Sequence, residues 1–181
     1  MQIIGLFISR SFIVIASMAG LVSCSAMTPL GCTDNWKITG YYTPVETDFS
    51  GQEQQIQLVD ARDYTFKADF ISAVKIEGWG KTTGGWYLGY YSNNWHKSHF
   101  PKDANGHALK IGKVAADPAY LASGVTIHID NMLDTLGRGQ FKVADVGSSV
   151  KGRHIDVYTG EGEQARKASW AVTGSHRVCS I

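Results

Sequence analysis

Asp156 stands in the run His154-Ile155-Asp156-Val157-Tyr158. In an extended chain successive side chains point to opposite faces. Ile155 and Val157 therefore share an apolar face, and His154, Asp156 and Tyr158 share the other. A carboxyl beside an imidazole and a phenol has the parts of a general acid. It could hand a proton to a leaving oxygen if burial kept it protonated near neutral pH. It could also be an ordinary exposed strand carboxylate. Asp145 ends Phe141-Lys142-Val143-Ala144-Asp145, on the parity of Phe141 and Val143 and so on the expected inward face. A carboxylate there more often accepts backbone N–H groups. Asp117 precedes Pro118 and Ala119-Tyr120-Leu121, the pattern of a helix N-cap with proline at the first helical position, which predicts a structural role. Paired carboxyls would open glycoside hydrolysis, with separations of about 6.5–9.5 Å in inverting enzymes and about 5–5.5 Å in retaining ones. Asp145 is the one partner for Asp156 that the sequence offers. Lys151, in the turn before Asp156, could meet substrate oxygens or simply be solvated.

Other constellations are weaker. Trp79, Trp86, Tyr87, Tyr90, Tyr91 and Trp95 crowd one glycine-rich stretch. Flat rings with polar edges suit sugar faces and also fill small cores, so Trp79 and Trp86 are expected as sugar contacts within a mixed set. His96-Lys97-Ser98-His99 with Asp103 falls short of the four ligands that a closed zinc site takes. Neither a metal nor a cofactor is expected. Gly80-Lys81-Thr82 is no phosphate loop, because the first glycine would fall at position 75, which is Lys75. No Gly-x-Ser-x-Gly elbow is present. Lys plus Arg is 17 against 16 for Asp plus Glu, and with no basic run nothing points to nucleic acid.

Elements must place these residues. Trp36 to Thr43 alternates and is β-prone, ending at Pro44. Ile56 to Val59 predicts a short strand, Ala61 to Ala73 a helix, and Ala73 to Ile76 a strand. Gly78 to Gly89 predicts a glycine-punctuated hairpin, and Ser92 to Gly106 a loop. Val125 to Ile129 places Val125, Ile127 and Ile129 on one face. Phe141 to Asp145 and His154 to Thr159 carry the clearest strand patterns. Arg166 to Ala171 predicts a helical turn, and His176 to Ile181 a last strand. With 20 glycines in 181 residues and few long helical patterns, an all-β fold with many turns is expected. Several short strands in one compact domain predict a small closed barrel.

Three stretches together resemble a known family. They are Thr39-Gly40-Tyr41-Tyr42-Thr43-Pro44, then Ala115-Ala116-Asp117-Pro118 followed by Gly124-Val125-Thr126-Ile127, then the long run from Val143 to Gly160. From Trp36 to Ile181 the chain is similar to the three-aspartate (3D) domain of membrane-bound lytic transglycosylase A and its relatives. The resemblance implies a double-psi β-barrel with short helical turns and a glycine- and aromatic-rich insertion over 45–99. It implies non-hydrolytic cleavage of the bond between N-acetylmuramic acid and N-acetylglucosamine in peptidoglycan, giving a 1,6-anhydro sugar. By motif the acid and then base is Asp156, supported by Asp145 and Asp117. Thr39, Tyr41, Tyr42, Lys151, His154 and Tyr158 become expected substrate contacts. A lone aspartate suffices: it protonates the leaving O4, the sugar's own 6-hydroxyl attacks C1, and the same carboxylate takes that proton. Two departures stand out. Gly147-Ser148-Ser149 replaces the family's Gly-Gly-Ala-like run, where a site with φ > 0 would strain serine. The stretch from Val45 to His99 is much shorter than the family's second domain, which puts a deep groove in doubt. An inverting hydrolase using Asp145 and Asp156 and a non-catalytic glycan-binding envelope protein remain as alternatives.

The first residues have the layout of an export signal: one positive charge in Met1 to Arg10, an apolar and small-residue run from Ser11, and Leu21-Val22-Ser23-Cys24. The run is too short for a transmembrane helix, which needs about 20 residues. Leu-Val-Ser-Cys resembles a bacterial lipobox, implying removal of residues 1–23, lipid on Cys24, a tether over 24–35 and, with Ser25 next, the periplasmic face of the outer membrane. The alternative is a secreted protein cleaved after Ser25-Ala26-Met27. If Cys24 carries lipid, Cys32 and Cys179 remain as an even pair, and an oxidising compartment predicts a bond between them.

Overall fold

The structure, a computed structural model, describes residues 31–181, so the expected leader and Cys24 lie outside the described residues. The described chain is mostly β. Its strands are β1 (Gly31–Thr43), β2 (Glu53–Gln57), β3 (Asp63–Lys67), β4 (Trp79–Lys81), β5 (Tyr87–Tyr91), β6 (Asn94–Ser98), β7 (Lys113–Ala116), β8 (Thr126–Ile129), β9 (Gln140–Asp145), β10 (His154–Glu161) and β11 (Gly174–Ser180). The helices are α1 (Ala68–Glu77), α2 (Leu133–Leu136) and α3 (Gly162–Ala171). Six strands close a ring in the order β1-β10-β7-β9-β8-β11. The pairs β1·β10 and β7·β9 are parallel and the other ladders antiparallel.

Alternation fills the ring. Trp36 and Ile38 of β1, Val114 and Ala116 of β7, Ile127 and Ile129 of β8, Phe141 and Val143 of β9, and Ile155 and Val157 of β10 form one buried cluster. α3 seals one side of β1 at Gly40. A Cβ there would sit 2.6 Å from the Ser169 backbone, so only glycine permits this helix–strand approach. β1 begins at Gly31, inside the stretch expected as a tether, because Cys32 and Cys179 are register partners across β1 and β11 and are joined by a disulfide.

A smaller lobe follows β1. The β2–β3 hairpin, α1 and the β4-β5-β6 sheet bury Ile56, Leu58, Phe66, Phe70, Ile71, Val74 and Leu88 as a second core. Here several expectations are corrected. The stretch expected as a helix from Ala61 splits into β3 and α1, because Tyr64 and Phe66 obey a period of two and Phe70, Ile71 and Val74 the helical one. Ala73 to Ile76, apolar enough for a strand, is the last turn of α1. The loop expected over Ser92 to Gly106 contains β6, paired with β5 through a two-residue turn at Ser92 and Asn93, both at positive φ. Asp117 caps a turn rather than a helix: Tyr120 and Leu121 N–H both donate to its carbonyl, and no further helical turn forms. Ser148 and Ser149 take no positive φ; the left-handed position of this turn is Gly152, at 66°, so the expected serine strain is absent.

Candidate active site

A row of residues crosses the ring on its outer face. Thr39 of β1 is paired with Asp156 of β10, Asp156 with Ala115 of β7, and Ala115 with Asp145 of β9. Asp145 belongs to this row because of a β-bulge. Val114 faces Val143, but Ala115 faces Asp145, so Ala144 is the extra residue. The bulge reverses parity and turns Asp145 away from the inward face that simple alternation assigned to it. With strands about 4.8 Å apart, the Cα atoms of Asp145 and Asp156 lie about 10 Å apart across the methyl group of Ala115.

This row floors a cavity of about 1030 Å³ between the ring and the smaller lobe. Thr39, Tyr41, Asp145 and Asp156 line it from the ring; Glu77, Trp79 and Tyr91 line it from the lobe. The shortened insertion thus still builds a second wall, and the groove placed in doubt by its length is present.

Asp156 is half-buried. Burial pushes its carboxyl above the ordinary range, while the Thr39 hydroxyl and the charges of His154 and Lys37 oppose that rise. The Thr39 hydroxyl lies 2.6 Å from Asp156 Oδ1 and engages only that oxygen. Asp145 is held more fully. Its Oδ2 accepts the Tyr41 hydroxyl at 2.8 Å, and its Oδ1 accepts the N–H groups of Val146 at 2.9 Å and Ala104 at 3.0 Å. Burial raises its carboxyl, and these three donors work against that. Tyr41 in turn keeps its proton far above the usual phenol range, through burial and then the Asp145 charge. Asp117 stays outside the cavity. Its Oδ1 accepts Ala119 N–H at 3.0 Å and its Oδ2 accepts Gly152 N–H at 2.8 Å, so it ties the turn before β10 to the end of β7. These N–H bonds hold it below the usual carboxylate range.

The other expected contacts divide. His154 and Tyr158 share a face with Asp156, as alternation required, but they are buried at 8% and 1% exposure and do not reach the cavity. His154 lies under the Ser149 carbonyl, and the Tyr158 hydroxyl meets Thr43 Oγ1 at 2.8 Å. They back the site rather than open to it. Tyr42 points to the opposite side, beside Phe49 and Arg166. Lys151 is exposed beside Asp117. Trp86 packs on Tyr64 and Phe66 under Lys97, as part of the lobe core. Trp79 lines the cavity, with its indole N–H given to the Lys102 carbonyl. His96 stacks on Tyr91 at 3.7 Å, and Asp103 binds Lys113, so the histidine loop and Asp103 do not converge.

Glu77 was not foreseen. It ends α1, where the helix dipole disfavours a negative charge. Its Oε2 accepts the Tyr42 N–H at 3.1 Å. Burial pushes it up to about 7; that N–H bond opposes the rise, and the Asp156 charge adds to it. The one sequence signal is an acidic residue closing the mostly apolar stretch Ala73-Val74-Lys75-Ile76. The Tyr91–His96 stack adds a flat surface at the rim, with Tyr91 46% exposed.

Comparison with known proteins agrees with this fold. The sequence model of the 3D domain matches residues 112–178, which run from just before β7 into β11. No curated protein matches the chain in sequence. Among solved structures, Escherichia coli MltA with bound chitohexaose superposes at a TM-score of 0.63 with 18% identity, covering 80% of this chain and 71% of that one. A membrane-bound lytic murein transglycosylase from Agrobacterium tumefaciens gives 0.58 and 11%, covering 81% and 73%. MltA from Neisseria gonorrhoeae gives 0.55 and 12%, covering 80% and 71%. At these identities the shared property is the fold.

Proposed function

We propose that this 3D-domain protein is a peptidoglycan lytic transglycosylase, with Asp156 as the single acid and base. The observation that carries the reading is the unequal engagement of the two carboxyls in the groove. Asp145 already accepts three donors, whereas Asp156 accepts one and keeps an oxygen for the ligand. Burial favours the protonated form of Asp156, as an acid requires. The groove, of about 1030 Å³, brings the Trp79 and Tyr91 rings of the lobe opposite the Asp145 and Asp156 carboxyls of the ring, a lining suited to a glycan. Asp156 protonates O4 of the leaving N-acetylglucosamine, the 6-hydroxyl of N-acetylmuramic acid closes on C1, and Asp156 takes the hydroxyl proton. No activated water and no cofactor enters. Parallel pairing of β1 with β10 and of β7 with β9 favours a double-psi barrel as the scaffold.

One observation favours a second reading. Burial pushes the Glu77 carboxyl up to about 7, and an inverting hydrolase could use it as base toward a water. Mass spectrometry of digested peptidoglycan separates the readings. Anhydro-muramic ends are expected. Reducing ends would assign the hydrolase, and intact strands with retained binding would leave a glycan-binding protein. The protein is also proposed to sit at the periplasmic face of the outer membrane through lipid on Cys24. Cys24→Ala should then leave it unprocessed or soluble; normal processing with continued partition into detergent would exclude the anchor.

A further inference from the structure

Behind Asp156 a hydrogen-bonded chain leads away from the groove. His154 Nδ1 lies 3.2 Å from the Ser149 carbonyl oxygen, and His154 Nε2 lies 2.8 Å from Thr39 Oγ1. Thr39 Oγ1 lies 2.6 Å from Asp156 Oδ1. A carbonyl oxygen only accepts, so Nδ1 carries a hydrogen. Thr39 has one hydrogen for two neighbours. When Asp156 is ionised, its carboxylate takes that hydrogen. Nε2 then faces a hydroxyl lone pair and is satisfied only by carrying a second hydrogen, which makes the ring positive. When Nε2 is bare, Thr39 turns its hydrogen to the ring, and Oδ1 is satisfied only if it is protonated. The ring is 8% exposed, so water is a poor substitute. An ionised Asp156 therefore requires a charged His154, and the charged ring equally accommodates Asp156 protonated on its other oxygen, since Thr39 then still donates to Oδ1.

We propose that His154 is a positioning residue for the acid–base cycle: through Thr39 it holds a positive charge behind Asp156 while that carboxyl is ionised. The inference rests on Asp156 being the acid and base. In the cycle His154 keeps both ring hydrogens throughout, and the Asp156 oxygen not held by Thr39 gives its proton to O4 as the C1–O4 bond breaks. The carboxylate is then stabilised by the Thr39 hydrogen and, behind it, by Nε2–H. As O6 bonds to C1, its proton returns to Asp156. The net change is one proton moved from O6 to O4, with Thr39 and His154 unchanged. Other ionisable groups face this pair. Lys37 is the cross-strand partner of His154 and is exposed; Tyr41, Asp145 and Glu77 share the groove with Asp156.

The test uses His154→Gln, Thr39→Val and the double variant, with Thr39→Ser as the hydroxyl-keeping control. Two quantities are measured: the titration midpoint of the Asp156 carboxyl carbon by NMR without substrate, and turnover against pH. Each single variant should raise the Asp156 midpoint and lower turnover about ten- to a hundredfold, the worth of one hydrogen bond to a charged group, with KM little changed. The double variant should be no worse than the weaker single, because both break one chain, and Thr39→Ser, which keeps the hydroxyl, should bring the Asp156 midpoint back down from that of Thr39→Val. Measurements are repeated in a Glu77→Gln background, since burial pushes the Glu77 carboxyl up to about 7 and it shares the groove with Asp156. An unchanged Asp156 midpoint in folded His154→Gln overturns the proposal, even if stability falls, and so do additive losses in the double variant. Absence of anhydro products from wild type would instead remove the transglycosylase reading, while the midpoint still judges the link.

Discussion

Asp156→Asn is expected to lower turnover on peptidoglycan by about 10²–10⁴ or more, the usual worth of a positioned proton donor. The amide keeps an oxygen for the Thr39 hydroxyl and keeps the volume of the groove floor, so glycan binding and fold should survive. It has no proton to give to O4 and no basic oxygen to take one from O6. Both halves of the reaction should fail together, and KM should change little. Asp145→Asn should behave differently. An amide can still accept Val146 and Ala104 N–H groups, but its nitrogen then faces the Tyr41 hydroxyl, a donor. About 1–3 kcal/mol of stability should be lost along with activity, the cost of a buried donor left without its acceptor. Abolished turnover in a fully stable Asp145→Asn protein would point to Asp145 as a base. Full activity in folded Asp156→Asn would defeat the proposed mechanism whatever the products are.

The second large effect concerns stability. The Cys32–Cys179 bond joins residues 147 positions apart, so it closes nearly all of the described chain. Restricting so long a loop in the unfolded state corresponds to about 5 kcal/mol at most in the chain-entropy account, and losses of about 2–5 kcal/mol are usual on removing a native bond. Replacing both cysteines by serine should lower Tm by roughly 4–20 °C for a domain of this size. It should also fray the first residues of β1 away from β11, because Gly31, Cys32 and Thr33 pair there with Ser180, Cys179 and Val178. Equal melting of the oxidised and the double-serine protein would show that the end ladder holds without the bond.

Much of the ring was legible in the sequence because each strand there buries one face. Ile155 and Val157, Phe141 and Val143, and Ile127 and Ile129 alternate with polar neighbours, and all are buried together. That alternation placed Asp156 on the face away from the core, beside His154 and Tyr158. The cysteine pairing was also readable, from the even pair left once Cys24 is set aside. The smaller lobe was harder. Its strands are short, and the aromatic and glycine residues of 78–98 fit a core and a sugar surface equally well. Where β3 runs directly into α1, the two periods overlap and no turn residue marks the change.

Tertiary structure decided the rest, because the deciding contacts join segments distant in sequence. Asp145 enters the row of Thr39 and Asp156 through one extra residue, Ala144, and a bulge is defined by the partner strand rather than by its own sequence. Glu77 acquires its proton affinity from burial against β1, 35 residues away, at the Tyr42 N–H. Periodicity gave His154 a polar face; the loop carrying Ser149 then covered that face, turning an expected sugar contact into a group behind Asp156. Local sequence determined which side of each strand a residue takes. Only the packing of ring, loop and lobe determined whether that side meets solvent, another carboxyl or a buried ring, because desolvation and hydrogen bonding depend on what lies opposite in space.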